Sequence, residues 1–250
     1  FSTWAIFIAI RVQKLDDEKL LASKNESTKL LRQNWKGFGL YALFGIALGL
    51  AAASKINTLV IALLLPGALI QKDFQGLKDI SASKWKLRIR NLVLAGLISF
   101  IVFRIFQPYA FTGPGFFGMI PNPRWIANLR ELSFISSGES NYPPSIQWAR
   151  RSFWFPIKNL VVWGLGLPVG LLAAGGLLTM AYELFSRRIK EFTLLWIFTI
   201  LYLIWQALRW NPTMRYFLIL YPVFAVFAAW MIGYLVKIPG EIKRKKIRDS

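Results

Sequence analysis

Four apolar blocks, at 91–107, 159–182, 192–208 and 217–236, meet or approach the length that carries a helix across a bilayer. A hydrocarbon core about 30 Å thick needs about 20 residues at about 1.5 Å of rise each, and every backbone polar group inside it must be paired within the chain. The pattern predicts an all-α fold, a polytopic bundle of membrane-spanning helices. Composition agrees: 55% of residues are hydrophobic and 16% aromatic, gathered in long runs rather than short alternations.

Three shorter stretches extend the count. Residues 38–53 and 57–70 are separated only by Ser54, Lys55 and Ile56 and read as two spans meeting in a tight turn. The alternative is one long broken helix, against which Pro66 and the Lys55 interruption speak. The chain opens at Phe1, and residues 1–10 supply a partial span, so this reading expects the span to begin upstream.

The distribution of Lys and Arg predicts orientation. Residues 11–36, 71–90, 183–191 and the tail 237–250 fall on one side and hold 22 of the 31 basic residues, which marks that side and the C-terminus as cytoplasmic in a multi-pass cell-membrane protein. The net charge of +19 then needs no nucleic acid. Lys243, Arg244, Lys245, Lys246 and Arg248 read as a topology signal beside anionic membrane lipids. Asn25-Glu26-Ser27 fits a glycosylation pattern but falls on the cytoplasmic side, where it is discounted.

The absent residues narrow the chemistry. Without Cys or His there is no thiolate nucleophile, zinc-thiolate site or Ser-His-Asp relay, and no cofactor or metal cluster is indicated. On the outer side the only carboxylates are Glu131 and Glu139.

The long outer loop, 108–158, is too aromatic for disorder and reads as an ordered cap. Within it Asn122 caps a short amphipathic helix that starts at Pro123, places Trp125, Ile126, Leu129 and Leu132 on one stripe, and stops near Gly138. Such a helix lies flat at the interface, arginines outward. Farther along, Tyr142, Trp148 and Trp154 suit the headgroup level, while Arg150 and Arg151 read equally as snorkelling cations or as ligands of a lipid-linked phosphate.

Other polar residues sit at the outer ends of spans: Lys55 in the tight turn, Arg104 and Gln107 closing the span at 91–107, and Arg209 with Arg215 flanking the hairpin before 217–236. Each alone reads as an interfacial anchor, and together they suit an anion site. Gly45 with Gly49, and Gly166 with Gly170, have the spacing that lets helix backbones approach closely.

These residues carry a resemblance. Gly45-Ile46-Ala47-Leu48-Gly49-Leu50-Ala51, running into Ser54-Lys55, is similar to the Gly-rich span ending in Thr/Ser-Lys of glycosyltransferase family 39, which holds the dolichyl-phosphate-mannose protein mannosyltransferases and the lipid A aminoarabinose transferases. Met214-Arg215-Tyr216 with Tyr221-Pro222 resembles the late outer hairpin of that group. The stretch from Phe103 to Phe111, with Pro143-Pro144 and Gln147-Trp148-Ala149, is similar to a bacterial branch of it.

The resemblance implies a GT-C fold and transfer of a sugar from a polyprenyl-phosphate donor to an acceptor on the extracytoplasmic face. It implies that Lys55 and Arg215, then Arg104 and Gln107, contact the donor phosphate. Tyr109 and Trp148 would face sugar or acceptor, or pack in the aromatic belt. The family's catalytic carboxylate lies in a first outer loop to which no position here corresponds. The resemblance therefore places the base upstream of Phe1, with Glu139 the fallback, and implies a C-terminal part that is inactive alone. A non-catalytic multi-span membrane subunit or lipid transporter is the reading from another class.

Overall fold

A computed structural model describes residues 1–14, 29–76, 82–113, 115, 118–149, 151–186 and 192–248, with the backbone alone for 29–37, 72–76, 82–84 and 237–248. The protein is mostly helical. It divides into two compact units, Phe1–Arg130 and Glu131–Ser250.

In the first unit, α1 (Ser2–Gln13) packs against both α2 (Lys29–Ser54) and α3 (Leu64–Gly76), and α2 packs extensively on α4 (Ala82–Phe106). Small residues set the crossing of α2 and α4. A Cβ on Gly45 would stand 2.5 Å from the carbonyl oxygen of Ala95, and one on Gly49 2.6 Å from that of Ser99. Contacts that advance together along both helices, Gly45 to Ala95 and then Gly49 to Ser99, make the helices parallel, at a backbone separation that only glycine permits. Between α2 and α3 the helix is interrupted. Lys55 is extended (φ −159°, ψ 112°), and a 3₁₀ segment over Ile56–Leu63 follows it before α3 begins.

A two-residue antiparallel ladder, β1 (Phe111–Thr112) with β2 (Ile120–Pro121), follows α4. It leads into α5 (Pro123–Ser137), which starts and stops where its local chemistry dictates. Asn122 Oδ1 accepts the Arg124 backbone N–H at 3.0 Å, and Gly138 adopts φ +92°, open to glycine without penalty. Trp125, Ile126 and Leu129 are half-buried, whereas Leu132 is 62% exposed, so the stripe is covered only at its N-terminal end.

The second unit corrects one expectation. The apolar block at 159–182 is not one helix: α6 (Pro143–Ile146) and α7 (Trp154–Asn159) precede a π-helical turn at Leu160–Gly164, and α8 runs over Leu167–Phe185. Gly166 at φ +77° breaks the path, and Pro168 in the first turn of α8 has no N–H with which to continue a helix from upstream. The Gly166 and Gly170 pair is corrected with it. Among the described residues a Cβ on Gly166 would meet nothing within 4 Å, and Gly170 lies against the carbonyl of Val161 in the π turn.

The helix crossing is made instead at Gly176, packed on the backbone carbonyl of Phe227 in α10 (Tyr221–Arg248). Gly170, Ala173, Gly176 and Met180 form the buried stripe of α8. The helix α9 (Thr193–Ala207) runs antiparallel to both neighbours, with Trp196 Nε1 donating to the Leu177 carbonyl at 3.0 Å and Tyr202 donating its hydroxyl to the Tyr216 carbonyl at 2.9 Å. A 3₁₀ turn over Met214–Leu220 leads into α10, whose helix continues to Arg248, through residues expected to be a tail.

Among the described residues, three helical segments are long and apolar enough to cross a membrane: Trp85–Phe106, Leu167–Phe185 and Met214–Val236. Phe38–Ser54, Ile56–Gln71 and Thr193–Ala207 are apolar but shorter. The long segments expose large apolar side chains, with Leu178 71% and Val236 72% exposed.

Candidate functional site

Lys55, Arg104, Gln107 and Tyr109 belong to the first unit. Because α2 and α4 run parallel, Lys55 and Gln107, each one residue beyond its helix, share one end of that unit. Counted from the Gly49 and Ser99 contact, their offset is two residues, about 3 Å along the axis. Lys55 and Gln107 are half-buried and Tyr109 is exposed.

Arg104, only 8% exposed, is turned to an internal duty. Its Nε donates to the Gly118 carbonyl at 2.9 Å, and its guanidinium lies 5.2 Å from the Phe111 ring centre. It thereby ties both ends of the 111–121 loop to the C-terminus of α4. A charge-assisted hydrogen bond plus a cation–π contact in a buried place is a strong local fastening.

Arg151, Trp148, Glu139 and Arg215 belong to the second unit, and Arg150 lies outside the described residues, as does the Asn25-Glu26-Ser27 pattern. Arg151 caps the Phe155 ring at 4.7 Å, and Trp148 meets that same ring edge-on at 6.2 Å. Glu139 is exposed, and its backbone N–H donates to Ser137 Oγ at 3.2 Å. Among the described residues no group of three His, Cys, Asp or Glu side chains stands together as a metal site would require.

A polar construction occupies the hairpin between α9 and α10. Tyr216 has two guanidinium neighbours, Arg209 at 5.6 Å and Arg215 at 5.3 Å from its ring centre. Arg209 also lies 5.5 Å from the Trp205 ring. Each guanidinium lies in cation–π range of the ring, which orients it, and a guanidinium can bind two phosphate oxygens at once.

Beneath that cationic rim lies a relay that the sequence did not reveal. Gln206 Nε2 donates to the Tyr202 hydroxyl at 2.9 Å, and that hydroxyl donates to the Tyr216 carbonyl. Trp210 adds a second fastening: its indole N–H donates to the Ser145 carbonyl at 2.9 Å, while Ser145 Oγ donates to the Ile135 carbonyl at 2.6 Å. The hint in the sequence was a Tyr and a Gln four residues apart inside an otherwise apolar helix, hence on one face of it.

Compared with family models, curated proteins and solved structures, the chain finds no match, so its site is read from its own geometry.

Proposed function

We propose that the chain acts as a membrane glycosyltransferase of the GT-C type, a polytopic helical bundle that takes a sugar from a polyprenyl-phosphate donor on the extracytoplasmic face. The observation that carries the reading is the placement of Arg209 and Arg215 about Tyr216, in a short polar hairpin that joins two apolar helices. Cations at a membrane surface favour an anionic partner, and a lipid phosphate is the anion that the bilayer itself delivers.

Exposed apolar faces on the helices support embedding in lipid. The bias of 22 among 31 basic residues supports a cytoplasmic C-terminus and, with it, an outer position for the Arg209–Arg215 hairpin. In the reaction an acceptor hydroxyl attacks the anomeric carbon, the bond from that carbon to the phosphate oxygen breaks, and the lipid phosphate leaves with the electron pair. Guanidiniums stabilise the charge that grows on the leaving oxygen. The hydroxyl proton needs a carboxylate base, for which Glu139 is the candidate within this chain. Lys55, Gln107 and Arg151 remain proposed phosphate contacts, whereas the internal bond of Arg104 assigns it first to holding the loop.

A non-catalytic lipid-binding subunit or lipid transporter is the second reading. The observation that favours it is the exposure of Glu139 on the cap.

The test is equilibrium binding of undecaprenyl phosphate to the chain in lipid nanodiscs. Arg209→Gln and Arg215→Gln are each expected to weaken binding about tenfold, with the remaining affinity less sensitive to salt. Unchanged affinity in both variants would remove the phosphate reading.

A further inference from the structure

A 3₁₀ helix rarely runs beyond three or four residues, because its hydrogen bonds are poorly aligned and its side chains eclipse one another three apart. Here one covers Met214–Leu220, at the start of a segment long enough to cross a membrane. Nothing within that stretch forbids an α-helix, since it holds no Pro and no Gly.

The obstacle stands just beyond it. Pro222 is the second residue of α10. In a continuous α-helix the N–H of residue 222 would serve the Leu218 carbonyl, but proline has none, and its ring would press on that same carbonyl. The backbone answers with a shift of register: the Tyr221 N–H donates to the Leu218 carbonyl, three residues back instead of four. The acceptor that Pro222 would have left orphaned is thereby satisfied. At the other end the Tyr216 N–H likewise donates to the Thr213 carbonyl at 3.0 Å. Phe217 and Leu220, three apart, are both buried, while Arg215 and Leu218, three apart, are both exposed, as eclipsed side chains should be.

The first unit repeats the arrangement. Pro66 is the third residue of α3, the 3₁₀ segment Ile56–Leu63 precedes that helix, and the Leu64 N–H donates to the Ile61 carbonyl three residues back. Each of these long 3₁₀ segments runs up to a proline in the first turn of the helix it feeds.

The geometry points to Pro222 as the positioning residue for Arg215. A 3₁₀ helix rises about 2.0 Å and turns about 120° per residue, an α-helix about 1.5 Å and about 100°. Six steps of chain separate Arg215 from Tyr221, so with α10 held in place a conversion to α-helix would draw Arg215 in by about 3 Å and swing it by about 120° around the axis. Tyr216 would turn with it, away from the Arg209 guanidinium and from the Tyr202 hydroxyl that its carbonyl accepts. Arg209 and Arg215 share one ring only while Pro222 keeps the segment long. Its effect on anion binding rests on the lipid-phosphate reading, whereas its hold on the backbone does not.

The test uses the whole chain in nanodiscs. Because the chain has no cysteine, nitroxides at Arg215→Cys and Val236→Cys form a unique pair. Pro222→Ala, which restores the N–H, is expected to shorten the interspin distance by about 3 Å, and Pro168→Ala, at the same position in α8, to leave it unchanged. Without labels, Pro222→Ala should weaken undecaprenyl phosphate binding about tenfold, as Arg215→Gln does, and the two substitutions together should do no worse than Arg215→Gln alone. Pro222→Ser restores the same N–H and serves if the alanine variant misfolds. An unchanged distance overturns the assignment. So does full affinity in Pro222→Ala where Arg215→Gln is weakened, or losses that add when the two are combined. A shortened distance with lipid binding unmoved by either substitution upholds Pro222 as the brace of the segment and removes the phosphate reading instead.

Discussion

The indole of Trp210 occupies the space that a Cβ on Gly138 would need, with Cδ2 only 2.5 Å from that position. Gly138 also ends α5 at φ +92°. One residue thus serves as the C-terminal stop of a helix and as the seat of the aromatic ring that follows Arg209 in the chain.

Gly138→Ala should therefore be among the more damaging single-methyl substitutions in the second unit. The strained backbone and the overlap with the ring together are expected to cost about 2–4 kcal/mol. Thermal unfolding in detergent, followed by tryptophan fluorescence, measures it.

Trp210→Phe keeps an aromatic ring at that seat but loses the indole N–H that donates to the Ser145 carbonyl and the area of one fused ring. The expected cost is about 1–2 kcal/mol from the lost hydrogen bond and packing, smaller than that of Gly138→Ala. A denaturant titration of both variants ranks them, and a larger loss for Trp210→Phe would contradict this assignment.

Gly49→Ala should loosen the α2 and α4 crossing, since its Cβ would come 2.6 Å from the Ser99 carbonyl oxygen. Overpacking a close helix contact costs about 1–3 kcal/mol. Gly96→Ala, where a Cβ meets nothing within 4 Å, is the control and should gain up to about 1 kcal/mol from helix propensity. Opposite signs in the two melting shifts are the result to look for.

The proposed orientation can be read by labelling, because the chain has no cysteine and any introduced one is unique. Ser140→Cys, in the cap loop, should react with a membrane-impermeant maleimide on intact cells. Ser186→Cys, at the far end of α8, should react only after permeabilisation. The reverse pattern would invert the topology and move the Arg209–Arg215 hairpin to the cytoplasm.

Local chemistry was readable where it acts over a few residues. Asn122, Pro123 and Gly138 mark a helix by capping, a preset φ and a free φ, none of which needs a distant partner. Gly45 and Gly49 were also legible as a packing face. The same spacing misled at Gly166 and Gly170, because a four-residue repeat does not distinguish a packed face from a break. Gly166 followed by Pro168 was the available signal for the latter, and it marks the start of α8. Arg104 reads from sequence as a span-end anchor or phosphate contact, and nothing near it in the chain announces the Gly118 carbonyl that takes its Nε–H.

What the sequence alone determined is that the chain forms helices and that several of them are long and apolar enough for a bilayer. Backbone hydrogen bonds of a helix are local, and hydropathy is a property of each residue, so both can be counted without coordinates. Tertiary structure decided which polar groups assemble: Arg209 and Arg215 around one Tyr216 ring, Gln206 turned by Tyr202, Trp210 fastened to Ser145. Those meetings depend on where helix backbones cross and on how a short hairpin closes. Such geometry is set by contacts such as Gly176 on Phe227, between residues far apart in the chain.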